Sequence, residues 1–447
     1  MHYLHGAILK DLGLIDEAVA VFRTRLAIDP HDHVAHSNLL LTLCYDPLQT
    51  ATDLCAEAIR WRVQQAEAVT PYRDHPNERD PDRRLRVGYV SADFMNHVAS
   101  LYTIPLFEHH DRKAIELCCY SATARSDAHT DRFRALSDRF VDIAALDDPA
   151  AVEVIRQDRV DVLVDLGMHM SNSRLLLFAA KPAPVQVTWL AYPGTTGLST
   201  FDARITDVFL DPPDLNVTGA YTEPAWRLPH SYWCYDPLTN EPSVGPLPAL
   251  RSGRITFGCL NNFCKTNEGV FALWSKVLLA VEGSRFLLLA RAGETRRRAL
   301  DAFARHGIGA ERIHFADREP RRVYLDIYNT FDICLDTFPY NGHTTSLDAY
   351  WMGVPVVTLV GHTIVGRGGS CQAHNLELSH LVARTPEEYV RIAFELASDL
   401  KHLAELRSEI RGRVQESPLM NGKLFAEKPR QQNLWVSQGG SGKAPRA

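Results

Sequence analysis

Beyond residue 84 the chain alternates between short, continuously apolar runs and longer stretches with a single apolar face. Such runs are typical of strands buried on both faces of a parallel sheet, and the longer stretches predict the covering helices. The pattern therefore predicts an α/β protein with two doubly wound domains that face each other across a cleft, with ligands at the carboxyl ends of the strands. The runs fall into two sets, at 85–90, 116–121, 160–165 and 185–190, and at 255–260, 285–290, 312–316, 332–335 and 354–359.

The stretches between the strands predict helices at 149–157, 267–281, 295–305, 344–352 and 386–415. Pro149 and Pro386 suit a first helical turn, because proline lacks the N–H group that would be unpaired there. Thr385 is placed to cap the last of these helices with its hydroxyl.

Roughly the first 45 residues have the spacing of one tetratricopeptide repeat, a pair of helices that cross closely at small residues. A generic helical hairpin has a similar pattern and is the alternative. A further helix is predicted at 52–66. The positions that match the repeat are Gly6, Leu9, Leu12, Gly13, Ala18, Phe22 and Pro30.

Two proline-rich segments divide the chain. Residues 71–84 are charged as well as proline-rich and predict a linker, and residues 237–253 predict a hinge. The Gly/Ser/Lys-rich end, 439–447, is predicted to be disordered. The predicted organisation is a helical repeat-like segment at 1–70, a linker at 71–84, Rossmann-like domains at 85–240 and 254–418, and a tail at 419–447.

Composition narrows the range of partners. The 447 residues include 48 Lys+Arg and 54 Asp+Glu, and a net charge of -6 gives no electrostatic reason to expect nucleic acid or an anionic membrane. No run approaches the roughly 20 apolar residues of a membrane span, and no signal-peptide pattern is visible. The nine cysteines include no C-x-x-C pair, which favours buried thiols in the cytoplasm over disulfides or a zinc site.

The clearest local signal for chemistry is the segment 332–360, which has the pattern strand, turn, helix, strand. Thr344 or Thr345 is placed to cap the helix, and Gly353 to end it. The unpaired N–H groups at such a helix start suit a phosphate, and His343 and the two threonine hydroxyls add donors. Asp348, one turn further on, is placed to accept from ribose hydroxyls. A well-capped crossover without a ligand is the alternative.

Further polar loops follow other strands of both sets. His97 is a candidate acid or base, because an imidazole has an ordinary pKa of about 6.5. Lys265 is placed to neutralise the charge on a diphosphate leaving group. The loop around Pro193 brings backbone N–H groups near a sugar, and His169 ends another strand of the same sheet. Taken alone, each of these residues is more often an ordinary loop residue without a catalytic role. A functional site is indicated because all of them follow strands, at the same edge of a sheet.

Four ordered motifs carry a specific resemblance to a known family. From about residue 83 to 415 the chain resembles the protein O-linked N-acetylglucosamine transferases and their SPINDLY-type relatives. The resemblance implies the GT-B fold, with two Rossmann-like halves and a nucleotide sugar in the cleft, preceded by a short tetratricopeptide segment. The motifs are RLRVGYVSADF at 84–94, KPAPVQVTWLAYPGTTG at 181–197, FGCLNNFCK at 257–265 and LDTFPYNGHTTSLDAYWMGVPVVTL at 335–359.

The resemblance also implies residue roles. Lys265 would contact the diphosphate and be needed for activity, and His97 would lie beside the sugar and the acceptor as a catalytic residue. One departure is Ala58, which stands where many members carry a histidine. The nucleotide-sugar site would be completed by Asn262 near the diphosphate, His343, Thr344 and Thr345 on the phosphates, Asp348 on the ribose, Glu319 and Arg321 at the uracil, Tyr324 against the base and Pro193 in the sugar pocket.

The expected activity is inverting transfer of N-acetylglucosamine from UDP-N-acetylglucosamine to serine or threonine hydroxyls of acceptor proteins. His97 is the expected base, with Asp93 or the donor's own phosphate as alternatives. Asp80 and Asp82 match the metal-binding D-x-D pattern of other glycosyltransferases, but they lie in the linker, so neither a metal nor a further cofactor is expected.

Two other functions stay open on the sequence. One is a SPINDLY-like protein O-fucosyltransferase that uses GDP-fucose, because the residues at the base position do not separate guanine from uracil. The other is a weakly active or inactive nucleotide-binding scaffold that acts through its helical repeats, which Ala58 favours.

Overall fold

The computed structural model describes residues 2–80, 82–215 and 218–431. These residues divide into two compact units, each built on one parallel sheet. The N-sheet unit contains residues 29–40, 52–236 and 421–431, and the C-sheet unit contains residues 2–28, 41–51 and 237–420, apart from the gaps just given.

Over residues 2–70 the helical segment contains four α-helices. The first two form the pair that the repeat pattern predicts, the fourth lies where the further helix is predicted, and the third was not predicted as a separate helix. Gly6 is required where α1 and α2 cross, because a Cβ atom there would lie 2.6 Å from the ring of Phe22. The helical segment is divided between the two units and does not form a unit of its own. The helices are α1 (His2–Asp11), α2 (Ile15–Ile28), α3 (His33–Leu43) and α4 (Ala51–Trp61), and α4 continues as a π-helical turn at Arg62–Ala66.

The N-sheet unit contains seven parallel strands in the order β3-β2-β1-β4-β5-β6-β7. Its core includes Ala58, Trp61 and Ala66 from the helical segment. The strands are β1 (Leu85–Ser91), β2 (Ile115–Ser121), β3 (Arg139–Asp142), β4 (Val162–Asp165), β5 (Val185–Thr188), β6 (Ala203–Asp207) and β7 (Ala225–Leu228), and the helices are α5 (Ser100–His109), α6 (Ala128–Leu136), α7 (Asp148–Gln157) and α8 (Leu175–Ala179).

The C-sheet unit repeats this arrangement with six parallel strands in the order β10-β9-β8-β11-β12-β13. The strands are β8 (Thr256–Cys259), β9 (Arg285–Leu289), β10 (Ile313–Ala316), β11 (Ile333–Leu335), β12 (Val356–Leu359) and β13 (Val382–Ala383). The helices are α9 (Pro248–Ser252), α10 (Glu268–Ala280), α11 (Glu294–Arg305), α12 (Arg321–Ile327), α13 (Thr344–Trp351), α14 (Gly368–Asn375), α15 (Pro386–Ser398) and α16 (Leu400–Glu416), with short 3-10 turns at Phe263–Lys265, Ala310–Arg312, Tyr328–Thr330, Ile364–Gly366, Ser379–Leu381 and Pro418–Met420.

The structure differs from the sequence prediction at several elements. The single helix predicted at 386–415 is broken at Asp399, whose carboxylate accepts from the N–H of His402 at 2.9 Å and starts a new helix. Strands β3, β6, β7 and β13 were not predicted. They are two to five residues long, and the β3, β6 and β7 sequences contain charged residues, so they show no continuous apolar run.

The predicted linker and tail are partly built into the N-sheet unit. In the linker, the amide Nδ2 of Asn77 donates to Asp161 at 2.7 Å. The first part of the predicted tail forms α17 (Gly422–Gln431), and Phe425 on this helix packs against Trp189 with ring centroids 5.3 Å apart. The predicted disorder at 439–447 lies outside the described residues. The predicted domain boundaries themselves stay a prediction.

A buried aspartate begins the strand beside the first strand of each sheet. Asp161 precedes β4, and its Oδ2 accepts from the backbone N–H of Arg86 on β1 at 2.8 Å. Asp332 precedes β11, and its Oδ2 accepts from the N–H of Thr256 on β8 at 2.8 Å. The second oxygen of Asp332 accepts from the N–H of Ala249 at 2.8 Å. These carboxylates supply acceptors to buried or half-buried backbone N–H groups at the amino ends of β1 and β8 and in α9.

No helix among residues 2–80, 82–215 and 218–431 has the length and apolar character needed to cross a membrane.

Replacing Asp332 by alanine should lower the free energy of unfolding by about 1–3 kcal/mol, because two backbone N–H groups lose a buried acceptor. Urea unfolding measures the loss. Asp301→Ala is the control, since the Asp301 side chain is 54% exposed on α11 and pairs with Arg297, and it should cost no more than about 0.5 kcal/mol. An equal loss of unfolding free energy in the two variants would show that the buried carboxylate of Asp332 stabilises the fold no more than an exposed one.

Candidate active site

The carboxyl end of β11 carries a buried carboxylate that organises the loop before α13. Asp336 is 1% exposed. Its Oδ1 accepts from the N–H groups of Gly342 at 2.6 Å and Thr337 at 2.8 Å, and its Oδ2 accepts from the hydroxyl of Thr358 at 2.8 Å. Burial raises the pKa of Asp336 from 3.8 to about 6, although these hydrogen bonds oppose the shift. The Asp336 carboxylate thus holds the two ends of the loop 337–342 close together.

The loop places a backbone carbonyl against the predicted catalytic lysine. Asn341 is fully buried, and its Nδ2 donates to the carbonyl oxygen of Thr337 at 2.8 Å. The carbonyl oxygen of Asn341 accepts from Nζ of Lys265 at 2.6 Å. Lys265 lies in the 3-10 turn after β8, so the structure brings two of the sequence motifs together at one edge of the sheet.

The surroundings of Lys265 combine an aromatic face with partial burial. Its Nζ lies 4.1 Å from the ring centroid of Tyr340, and Tyr45 from the helical segment stacks on that ring with centroids 5.2 Å apart. Burial lowers the pKa of Lys265 from 10.5 to about 8, while Asp336 acts in the opposite direction. The amine therefore stays largely charged at neutral pH and is a ready partner for an anion.

His343, Thr344 and Thr345 stand together at the start of α13. The helix begins at Thr344, so the prediction that Thr344 or Thr345 caps it is wrong: His343 occupies the cap position and makes no side-chain cap. Nε2 of His343 lies 3.2 Å from the carbonyl oxygen of Val365 and must carry the proton, because a carbonyl only accepts. Burial holds the pKa of His343 well below its usual value, so the ring is neutral.

Arg321 and Asp348 contact each other directly. The two terminal nitrogens of Arg321 donate to the two carboxylate oxygens of Asp348, each at 2.6 Å. Asp348 is 1% exposed and lies on α13, while Arg321 starts α12. The predicted roles of Asp348 at the ribose and of Arg321 at the uracil stay predictions. The two hydrogen bonds show that the guanidinium and the carboxylate orient each other.

The remaining residues predicted around the nucleotide differ in their surroundings. The hydroxyl of Tyr324 lies 2.8 Å from that of Tyr328, which donates to the carbonyl oxygen of Thr345 at 2.9 Å. Asn262 is exposed, and its Oδ1 accepts from Arg318 at 3.0 Å. Glu319 is exposed just before α12. Tyr324 is therefore connected to the start of α13, whereas Asn262 and Glu319 lie on the surface of the unit.

In the N-sheet unit, His97 follows β1 and lies beside a carboxylate. Its Nδ1 is 3.5 Å from Oδ2 of Asp93, and its side chain is 36% exposed. The N–H of Ala99 also points to Nδ1 at 3.3 Å. Burial raises the pKa of Asp93, an effect that His97 opposes. Because Nδ1 accepts from Ala99, this arrangement corresponds to the tautomer with the proton on Nε2. If the proton moves to Nδ1 and is donated to Asp93, Nε2 has a lone pair that can take a proton from a substrate.

Pro193 is buried in the loop that follows β5, at the carboxyl edge of the same sheet. The neighbouring strand β4 ends at Asp165, which is 1% exposed. Its oxygens accept from the N–H groups of Gly167 at 2.9 Å and Met168 at 3.0 Å, and from the hydroxyl of Thr188 at 2.9 Å. Burial raises the pKa of Asp165 to about 6.

Sequence reasoning missed Asp165 and Asp336 as organisers of the two loop edges. The sequence does contain a pattern that could have revealed them. The two segments read Asp-Val-Leu-Val-Asp at 161–165 and Asp-Ile-Cys-Leu-Asp at 332–336. Each begins and ends with an aspartate around three apolar residues. An acidic residue directly after a buried strand points to the carboxyl edge of a parallel sheet, where loop N–H groups need acceptors.

Comparison with known proteins identifies the family. The sequence profile of glycosyl transferase family 41 matches residues 29–239 and 248–428. The chain belongs to glycosyl transferase family 41. The family 41 chain is 37% identical over 422 residues to the probable UDP-N-acetylglucosamine–peptide N-acetylglucosaminyltransferase SPINDLY of Petunia hybrida, a match that covers 90% of this chain and 44% of the relative. It thus spans less than half the length of that relative.

Two further proteins are similar to the family 41 chain. The UDP-N-acetylglucosamine–peptide N-acetylglucosaminyltransferase of Caenorhabditis elegans is 25% identical over 445 residues, covering 73% of this chain and 38% of the relative. The structure of a point mutant of the O-GlcNAc transferase of Thermobaculum terrenum matches with a TM-score of 0.91 and 38% identity, covering 97% of this chain and 84% of that one. The predicted family and the predicted GT-B fold class are confirmed.

Replacing Asp336 by asparagine should change how the stability of the family 41 chain depends on pH. The pKa of Asp336 is about 6 in the folded chain against an ordinary 3.8, so the folded state holds the proton more tightly and the wild type loses stability as pH rises from about 4 to about 6. The free energy of unfolding of the wild type minus that of D336N should fall by roughly 3 kcal/mol over this range.

Urea unfolding at a series of pH values measures this difference. Asp301→Asn serves as the exposed control, and its difference from the wild type should stay constant. A constant difference for D336N as well would contradict the raised pKa.

Proposed function

We propose that this chain is a protein O-glycosyltransferase that moves N-acetylglucosamine from UDP-N-acetylglucosamine to serine or threonine hydroxyls. The names of the Petunia hybrida and Caenorhabditis elegans relatives describe this donor and a peptide acceptor, which supports the proposal. The nucleotide sugar is proposed to be the only small molecule required.

The placement of Lys265 is the observation that carries the proposal. Its Nζ is held 2.6 Å from the carbonyl oxygen of Asn341, in the loop that leads directly into α13. A diphosphate near this amine would also lie close to the N-terminal end of α13, whose N–H groups and helix dipole favour an anion. Positive charge and helix N–H groups directed at one place stabilise the negative charge that grows on a leaving nucleoside diphosphate.

The proposed transfer is an in-line displacement. The acceptor hydroxyl oxygen attacks the anomeric carbon, the bond from this carbon to the diphosphate oxygen breaks with its electron pair, and the configuration inverts. Lys265 and the start of α13 take the role that a metal ion has in other glycosyltransferases. His97 is the proposed base, with its Nδ1 oriented by Asp93 and its Nε2 receiving the hydroxyl proton.

Replacing Lys265 by methionine should lower kcat/KM for transfer by about 100-fold or more and weaken UDP binding by about tenfold or less. The reason is that the charge on the diphosphate is largest in the transition state. Steady-state transfer and calorimetric binding of UDP measure the two effects. Lys276→Met, an exposed lysine on α10, is the matched control and should change neither. Equal losses in transfer and binding would contradict the leaving-group role.

The donor is tested by thermal unfolding with UDP, UDP-N-acetylglucosamine, GDP or GDP-fucose. A ligand that binds only the folded state raises Tm, so the uracil pair should stabilise the chain and the guanine pair should not. ATP serves as a non-cognate control. Stabilisation by the guanine pair alone would replace the proposal with fucosyl transfer, and no shift with any donor would favour a scaffold without transfer activity.

A further inference from the structure

The loop after β5 receives buried hydrogen bonds from a distant carboxylate. Glu223 precedes β7 and is 4% exposed. Its Oε2 accepts from the hydroxyl of Thr195 at 2.7 Å, and its Oε1 accepts from the backbone N–H of Thr196 at 2.7 Å and also from the Thr196 hydroxyl. Both oxygens of one carboxylate are therefore used on two consecutive residues of the loop.

The carboxylate of Glu223 is held by hydrogen bonds and not by an ion pair within the described residues. Within the part of the chain that the structure describes, no ion pair involves Glu223. A buried carboxylate without a cation is costly unless hydrogen-bond donors surround it. Among the described residues, the donors that reach Glu223 belong to Thr195 and Thr196. The carboxylate is therefore stabilised only when this part of the loop is formed.

The other side of the loop rests on the helical segment. The carbonyl oxygen of Thr196 accepts from Nε2 of His169 at 2.9 Å, which leaves Nδ1 of His169 to accept from the hydroxyl of Ser37 on α3 at 3.2 Å. Burial lowers the pKa of His169 to about 3, so this ring is neutral. Glu223 thus accepts the hydrogen bonds that the loop donates. The carbonyl oxygen of Thr196 is held by His169, which is itself hydrogen-bonded to Ser37 on α3.

The helical segment also limits the size of the next loop residue. Gly197 has φ +81°, a left-handed conformation that favours glycine, and a Cβ atom there would overlap the carbonyl oxygen of Ala58 on α4. The loop therefore has little freedom to move toward α4. The residue at 58, which departs from the family pattern, forms the wall that this part of the loop packs against.

We propose that Glu223 is a positioning residue that holds the loop around Pro193 in the conformation that accepts the sugar of the donor. This inference rests on the proposed function, because Pro193 lies in the sugar pocket only if the chain binds a nucleotide sugar as its resemblance to the O-linked N-acetylglucosamine transferases implies. Glu223 lies behind the loop and acts through Thr195 and Thr196. Binding of the nucleotide, assigned to the C-sheet unit, does not depend on it.

Glu223→Gln is the first test, because glutamine keeps the shape but replaces one acceptor oxygen with a donor. The matched pair is Thr195→Val, which removes the hydroxyl, and Thr195→Ser, which keeps it. Glu153→Gln is the control for the same substitution in the same unit, since Glu153 accepts only from the hydroxyl of Tyr72 among the described residues.

The readouts are hydrogen exchange of amides 190–198, kcat/KM for transfer, Kd for UDP and Tm. E223Q and T195V should speed exchange in this loop by about tenfold and lower kcat/KM by about tenfold or more, because a small displacement at a reacting centre is costly. UDP affinity, and exchange in β8, should stay within about twofold of the wild type. T195S and E153Q should behave like the wild type.

Three results would overturn the proposal: unchanged loop exchange in E223Q, equal damage from T195S and T195V, or faster exchange throughout both units. If E223Q does not fold, the Thr195 pair decides. If the wild type transfers no sugar from any donor, the proposed function fails, but the exchange measurements still decide whether Glu223 orders the loop.

Discussion

The geometry of the candidate site depends on the hydrogen bonds that Asp336 accepts at the end of β11. Because this carboxylate binds the N–H groups of Thr337 and Gly342, the residues between them are forced into a closed loop. The closed loop points the carbonyl oxygen of Asn341 at Lys265, and it delivers the chain to the first turn of α13. Asp336 is not one of the residues predicted to bind the nucleotide sugar. Its hydrogen bonds nevertheless fix the loop whose carbonyl oxygen, that of Asn341, contacts the amine of Lys265.

The same physical device appears in both units. In each sheet the strand beside the first strand begins and ends with an aspartate, and the final one accepts from a threonine on the next strand: Asp165 from Thr188, and Asp336 from Thr358. Loops at the carboxyl edge of a parallel sheet expose N–H groups that need buried acceptors, so a carboxylate there gives the loop one conformation.

The helical segment contacts candidate-site residues within each unit separately. In the C-sheet unit, Tyr45 supports the aromatic ring that faces Lys265. In the N-sheet unit, Ser37 completes the hydrogen-bond chain through His169 to the loop around Pro193. A substitution on these helices can therefore disturb the surroundings of Lys265 or of the loop around Pro193 from a distance.

The sequence by itself determined the fold class and the family, because continuous apolar strands and motif order are local properties. It also singled out the four loops in which the chemistry is proposed to lie. It did not determine β6 and β7, whose charged residues find partners only in the folded chain, as Arg204 does with Asp211. Only the tertiary structure decided that Arg321 contacts Asp348 and that Glu223 accepts from Thr196. Each of these hydrogen bonds joins residues 27 positions apart. Hydrogen bonds between such distant groups follow from how the chain packs, and no local pattern records them.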